Sequence, residues 1–219
     1  VVGIDRGVKV AAALSTAELL YVPGLSRGEV RRLKVLQQRL ARAERGSNRR
    51  DRTKRAIAKL KARETDRRRD WVEKSTTDIA RRFDVIRIEA LDVRAMTRSA
   101  RGTVEQPGAG VAAKRGLNRG ISRSAWGLFA ARLQHKAFGR VERIPAAYTS
   151  QRCCVCGHVA PKNRKSQAVF ECEACTTGPC DADVNAARNI AAGRAVTARG
   201  DLGASRSMNR EPQLCSPAA

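Results

Sequence analysis

The chain holds 219 residues, enough for one medium domain and a small satellite with a real core. Its 44 Lys and Arg against 21 Asp and Glu leave a formal charge of +23, which points to a polyanionic partner, nucleic acid foremost. An anionic membrane would attract the same charge, but no apolar run reaches transmembrane length and no signal-peptide pattern is present, so a soluble, cytoplasmic protein without a membrane partner is expected.

The sequence opens inside an apolar run, Val1-Val2-Gly3, from which an N-terminal portion is expected to lie outside it. Val1, Val2, Ile4, Val8, Val10, Ala12, Leu14, Leu20 and Val22, punctuated by Gly3 and Gly7, predict short strands and tight turns. Leu33, Leu36, Leu40 and Ala43 then recur at helical spacing, Gly46-Ser47-Asn48 breaks the run, and Ile57, Leu60 and Trp71 continue it, giving a helical hairpin over 27–80. Residues 27–70 carry 18 basic and six acidic residues, a local net of +12. Six acids cannot neutralise eighteen bases, so this surface is expected to face phosphates. A strand over 85–88 ends at Glu89, and the Gly-, Arg-, Lys- and Ser-rich stretch 97–124 predicts a mobile basic loop. Trp126, Phe129, Leu133 and Ala137 mark an amphipathic helix whose aromatic face serves the core, and 141–144 predicts a last short strand before Pro145. Only eight aromatics occur, too few for an extended base-stacking platform. Beyond Ile190 a short helix is expected to fade into a disordered tail over 198–219.

Two Cys-x-x-Cys pairs, Cys153/Cys156 and Cys172/Cys175, stand fifteen residues apart, as in a four-cysteine zinc ribbon. Four thiolates leave no open coordination position, so such a zinc is structural. Cys154 and Cys180 offer alternative ligands, and His158 and His135 are read as ordinary surface and helix residues. Three carboxylates have suggestive places: Asp5 and Glu89 close apolar strands, and Asp183 opens an Ala-rich helix, where an N-cap role is the simple alternative. Converging, they would hold two Mg²⁺ ions for phosphodiester hydrolysis, since Mg²⁺ prefers hard oxygen ligands.

The ordered set Gly3-Ile4-Asp5-Arg6-Gly7-Val8, the hairpin with Gly46-Ser47-Asn48-Arg49-Arg50, Ile88-Glu89-Ala90-Leu91-Asp92-Val93, Gly116-Leu117-Asn118-Arg119, Tyr148-Thr149-Ser150-Gln151, the cysteine pairs and Asp183-Val184-Asn185-Ala186-Ala187-Arg188-Asn189-Ile190 resembles the C-terminal half of TnpB (OrfB) proteins. These are transposon-encoded RNA-guided DNA nucleases, related to type V CRISPR effectors. The resemblance implies an α/β fold: an RNase H-like (RuvC) mixed sheet with the basic hairpin and an inserted zinc ribbon. It divides the chain into a core over 1–147, a ribbon over 148–180, a third-motif helix over 181–197 and the tail. It implies Asp5, Glu89 and Asp183 as catalytic Mg²⁺ ligands, Cys153, Cys156, Cys172 and Cys175 as zinc ligands, a DNA target and, in the longer protein, a guide RNA. Asp181 competes with Asp183 for the third acid; Asp183 fits the family register, which leaves Asp181 as a helix cap or as a neighbour that supports the metal ligands. The expected function is therefore a metal-dependent DNA endonuclease core, with a non-catalytic nucleic-acid-binding fragment or a transposase-like accessory protein as the alternatives.

Overall fold

A computed structural model describes residues 1–193; the expected tail and the end of the third-motif segment lie outside the described residues. The chain starts with β1 (Val2–Asp5), turns back into β2 (Ala12–Leu14) and continues into β3 (Leu19–Leu20), an antiparallel meander. A basic hairpin follows. Helix α1 (Arg27–Arg42) starts at a capping box in which Ser26 accepts from the Glu29 amide and Glu29 accepts from the Ser26 amide. Helix α2 (Asn48–Arg82) starts at Ser47, whose hydroxyl accepts from the Arg50 amide. Leu36 and Leu60 are buried in this hairpin, while most of its bases stay exposed.

The chain returns to the sheet as β4 (Ile86–Glu89), makes one helical turn, α3 (Val93–Met96), and runs through a loop into α4 (Val111–Ser124) and α5 (Trp126–Lys136), then β5 (Val141–Ile144). The expected mobile loop is thus only half loop. Its second half is helical because Ile121 and Ser124 are buried, and Gly110 and Ala125, both with left-handed backbone, set its two ends. After a one-turn 3-10 segment (Pro161–Asn163), β6 (Val169–Phe170) and β7 (Cys180–Asp181) pair antiparallel, and α6 (Ala182–Ala191) closes the described chain.

The main sheet is mixed, in the order β3-β2-β1-β4-β5, with β4 parallel to both β1 and β5. Side chains alternate across it. Val2, Ile4, Ile86 and Ile88 face α2 and α5, where Val72, Ile79, Phe129 and Leu133 complete a buried core. Each such side chain contributes about 1.5–3 kcal/mol of hydrophobic stabilisation. The opposite face carries α6. A Cβ on Gly3 would overlap the Ala187 carbonyl oxygen and the Ala191 amide nitrogen, so the helix backbone lies directly on this strand. No helix among the described residues is long and apolar enough to cross a membrane.

Candidate active site and metal centre

The parallel register pairs Val2 with Ile86, Gly3 with Arg87 and Ile4 with Ile88. One step further, Asp5 and Glu89 stand side by side at the C-terminal ends of β1 and β4. By alternation both project to the face covered by α6, together with Gly3 and Arg87. On α6, Asp183, Ala187 and Ala191 are spaced i, i+4, i+8 and share one side. Because Ala187 and Ala191 rest on Gly3, Asp183 is carried past the strand end. Its Oδ2 lies 3.9 Å from where a Cβ on Gly7 would stand, in the turn that follows Asp5. Three acids far apart in the chain therefore meet at one end of the sheet.

Their electrostatics record the meeting. Burial first, then the charges of Glu89 and Asp183, push the Asp5 carboxyl up to about 8, and Asp5 shares a hydrogen bond with Glu89. Burial also raises Glu89, opposed chiefly by Arg6 and by a hydrogen bond from Thr149. Burial and the neighbouring Asp181 charge raise Asp183, opposed by Arg164. Asp181 itself acts on the backbone. Its Oδ1 accepts from the Asp183 and Val184 amides, both at 2.9 Å, and so caps α6.

Three further residues complete the surroundings. Buried Arg6 donates to the Glu89 carbonyl at 2.5 Å and the Trp126 carbonyl at 3.4 Å, tying the β1 turn to β4 and α5. Buried Thr149 donates to Glu89 Oε1 at 3.3 Å. Arg164, from the cysteine module, reaches Asp183 Oδ1 at 3.4 Å. In the sequence Arg6 and Thr149 stand inside recognisable motifs without a visible role, and Arg164 sits in an unremarkable basic stretch. Only the fold brings it to an acid.

Cys153, Cys156, Cys172 and Cys175 place their sulfurs within 4.8 Å of one another, the one such group of metal-ligating side chains among the described residues. The Cys156–Cys172 and Cys153–Cys175 sulfur separations are 3.5 and 3.8 Å. A tetrahedral ion with metal–sulfur bonds of about 2.3 Å has edges of about 3.8 Å, whereas a disulfide needs about 2 Å. The four thiols thus have the spacing of a group that could hold a metal ion, and the fit is that of a closed tetrahedron. Burial pushes Cys153 up to about 12, so a cation is needed to hold it as thiolate at neutral pH. Cys154 and Cys180 fall outside the group, and His158 is exposed and also outside it.

The four-cysteine cluster is fastened to the helix that carries Asp183. Asn185 donates to the Arg152 carbonyl at 2.8 Å and accepts from the Cys154 amide at 2.9 Å. Asn189 donates to the carbonyls of Thr149 at 3.0 Å and Arg152 at 2.7 Å. Both asparagines are buried, so one helix is pinned to the ribbon on one side and to the sheet on the other.

Comparison with known proteins finds similar sequences along most of the chain. A family model described as "Probable transposase" (OrfB_IS605) matches residues 1–100, and a "Cas12f1-like, TNB domain" model matches residues 126–190. The chain is 42% identical over 216 residues to the "Putative RNA-guided DNA endonuclease InsQ" of Escherichia coli, covering 96% of this chain and 54% of that one. It is 33% identical over 205 residues to a "Putative RNA-guided DNA endonuclease" of Streptomyces pristinaespiralis, covering 91% and 47%. The solved Cas12f1–sgRNA–target DNA complex aligns over 87% of this chain and 49% of its own at 21% identity, with a TM-score of 0.48. The chain spans about half the length of the curated relatives it matches. With the two family models following one another from the first strand to the last helix, the chain belongs to the OrfB (TnpB) family.

Proposed function

We propose that this chain is the catalytic core of a metal-dependent DNA endonuclease of the RNA-guided kind. The observation that carries the reading is the convergence of Asp5, Glu89 and Asp183 from β1, β4 and α6 on one sheet end. The sheet order, an antiparallel meander followed by two parallel strands, supports an RNase H-like (RuvC) core over 1–147, with 148–180 as a ribbon insert and 181–197 as the third-motif segment. Asp5, Glu89 and Asp183 would hold Mg²⁺, which would supply an activated water and neutralise the charge that develops on the phosphodiester. Arg6 fixes the end of β4, Thr149 orients the Glu89 carboxylate, and Asp181 sets the start of α6, so the acids arrive with their geometry settled beforehand. Arg164, paired with Asp183, is placed to turn to the scissile phosphate, where an arginine fork suits two oxygens. Zinc in the four-thiolate site is structural; it holds the ribbon that bears Arg164. The basic hairpin would track the nucleic-acid backbone, and the longer protein would add guide RNA and target DNA in a soluble, cytoplasmic setting.

Purified chain should nick single-stranded DNA when Mg²⁺ is supplied, and Asp5→Ala or Glu89→Ala should abolish nicking while the circular dichroism spectrum is kept. Nicking that survives both substitutions would refute the assignment. The excess of bases over acids on the hairpin also favours a second reading, a binder that does not cut, which predicts salt-sensitive DNA binding with no Mg²⁺-dependent product.

A further inference from the structure

The loop over 97–110 and α4 enclose a cleft of about 430 Å³, inside the range of roughly 300–1,000 Å³ typical of clefts that take small ligands. Arg101, Lys114, Arg115, Arg119 and Arg123 line it, and no carboxylate does. Arg115, Arg119 and Arg123 recur every four residues and therefore stack along one side of α4, where like charges repel. Helix α4 contains no acidic residue to relieve them. Arg123 has Glu64 nearby, and Lys114 donates to the Met96 carbonyl at 2.7 Å. The side chains of Arg101, Arg115 and Arg119 make no ion pair or hydrogen bond among the described residues and are exposed.

The walls are built rather than loose. Asn118 donates to the Thr97 carbonyl at 2.8 Å, and the loop closes on itself through the Gly108 amide to the Arg101 carbonyl at 2.8 Å and the Thr103 amide to the Gln106 carbonyl at 3.0 Å. Both walls are anchored beside the carboxylates. The loop leaves α3, just after Glu89, while α4 sits against the turn after Asp5, where a Cβ on Gly120 would come within 2.6 Å of Val8 Cγ1.

We propose that this cleft is a subsite for single-stranded nucleic acid, in which Arg115 and Arg119, with Arg101 across the opening, seat consecutive phosphates of the strand that leads to the carboxylates. Its volume admits roughly one nucleotide, so the contacts are to backbone phosphate and are indifferent to sequence. This rests on the nuclease reading above and extends it to the path of the substrate.

The test is binding of a 5′-fluorescein oligodeoxynucleotide of mixed sequence, about twelve nucleotides long, to the zinc-loaded chain without Mg²⁺, by anisotropy across a salt series. Arg115→Ala/Arg119→Ala is compared with Arg143→Ala/Lys162→Ala, which removes the same charge from exposed positions outside the cleft and the basic hairpin. The cleft pair should weaken binding at least about tenfold and flatten the log–log salt slope by about 1.4, the loss of two single-strand phosphate contacts. The control pair should change affinity less than about twofold. Equal losses in the two pairs, or an unchanged slope in the cleft pair, would overturn the subsite. Nicking that persists in Asp5→Ala while the cleft pair still loses affinity would remove the nuclease reading and leave the subsite standing. A wild-type chain that binds no oligonucleotide removes both.

Discussion

Gly3→Ala tests the contact that places the third acid. A Cβ at this position would stand 2.8 Å from the α-carbon of Ala191 and closer still to the Ala187 carbonyl oxygen and the Ala191 amide nitrogen. Ordinary van der Waals approach of a Cβ begins at 3.4 Å, so clearing the Ala191 α-carbon alone requires α6 to move by at least about 0.6 Å. The atoms met are backbone, and no rotamer change can clear them. Overpacking of this kind costs about 1–3 kcal/mol, or a fall in melting temperature of about 3–10 °C for a chain of this size. The same movement carries Asp183 away from Asp5, and a misplacement of about 1 Å in a catalytic group can cost about 10²-fold in rate. Differential scanning fluorimetry and a single-turnover nicking assay read the two effects, with Gly116→Ala as comparison. Gly116 lies in α4 with open space around its Cβ position, so alanine there should be neutral or stabilising by about 0.5–1 kcal/mol. A Gly3→Ala protein that melts with the wild type and nicks at the same rate would refute the close packing of α6 on β1.

Removing the metal from the four-thiolate site with a zinc-selective chelator should make 148–181 sensitive to limited proteolysis and abolish nicking even with Mg²⁺ in excess; protease resistance that survives complete metal removal would contradict a structural role. The raised carboxyl of Asp5 gives a pH signature in the Mg²⁺-free, zinc-loaded chain. The folded state keeps a proton up to about pH 8 that the unfolded state releases near 3.8, so this group's contribution is full below pH 3.8 and is lost as pH rises to about 8. Asp5→Asn should flatten that decline in urea-unfolding free energy, and an identical slope in wild type and variant would exclude Asp5 as its source.

The local grammar of the chain was legible. Ser26 and Ser47 cap the helices that the leucine spacing predicts, and the breaker Gly46-Ser47-Asn48 falls where the hairpin turns. The strand ends at Asp5 and Glu89 follow from apolar runs that stop at a charge. What local reading missed was decided by tertiary packing. Gly116, Gly120 and a high density of bases made 97–124 look like loop, yet burial of Ile121 and the fit of Gly120 against Val8 hold 111–124 as a helix. Arg164 was invisible for a related reason: nothing beside it in sequence marks it, and only the antiparallel pairing of β6 with β7 folds the ribbon back over Asp183.

The placement of the two sites follows from one helix with two differently patterned sides. Ala187 is small enough to let α6 lie on the strand at Gly3, which sets the distance from Asp183 to Asp5. On the side that faces the ribbon, Asn185 and Asn189 supply polar atoms, and these take up backbone groups of 149–154 that a loop would otherwise bury unpaired. Thr149 belongs to both connections, since its carbonyl accepts from Asn189 and its hydroxyl donates to Glu89. A displacement at the first cysteine knuckle therefore reaches two of the three acids by separate routes, through Thr149 to Glu89 and through α6 to Asp183. Moving α6 against the sheet, by contrast, disturbs Asp183 and leaves the β1–β4 pairing of Asp5 with Glu89 in place. Changes to the ribbon should for that reason impair the acid site more broadly than changes of equal size at the contact between Gly3 and Ala187.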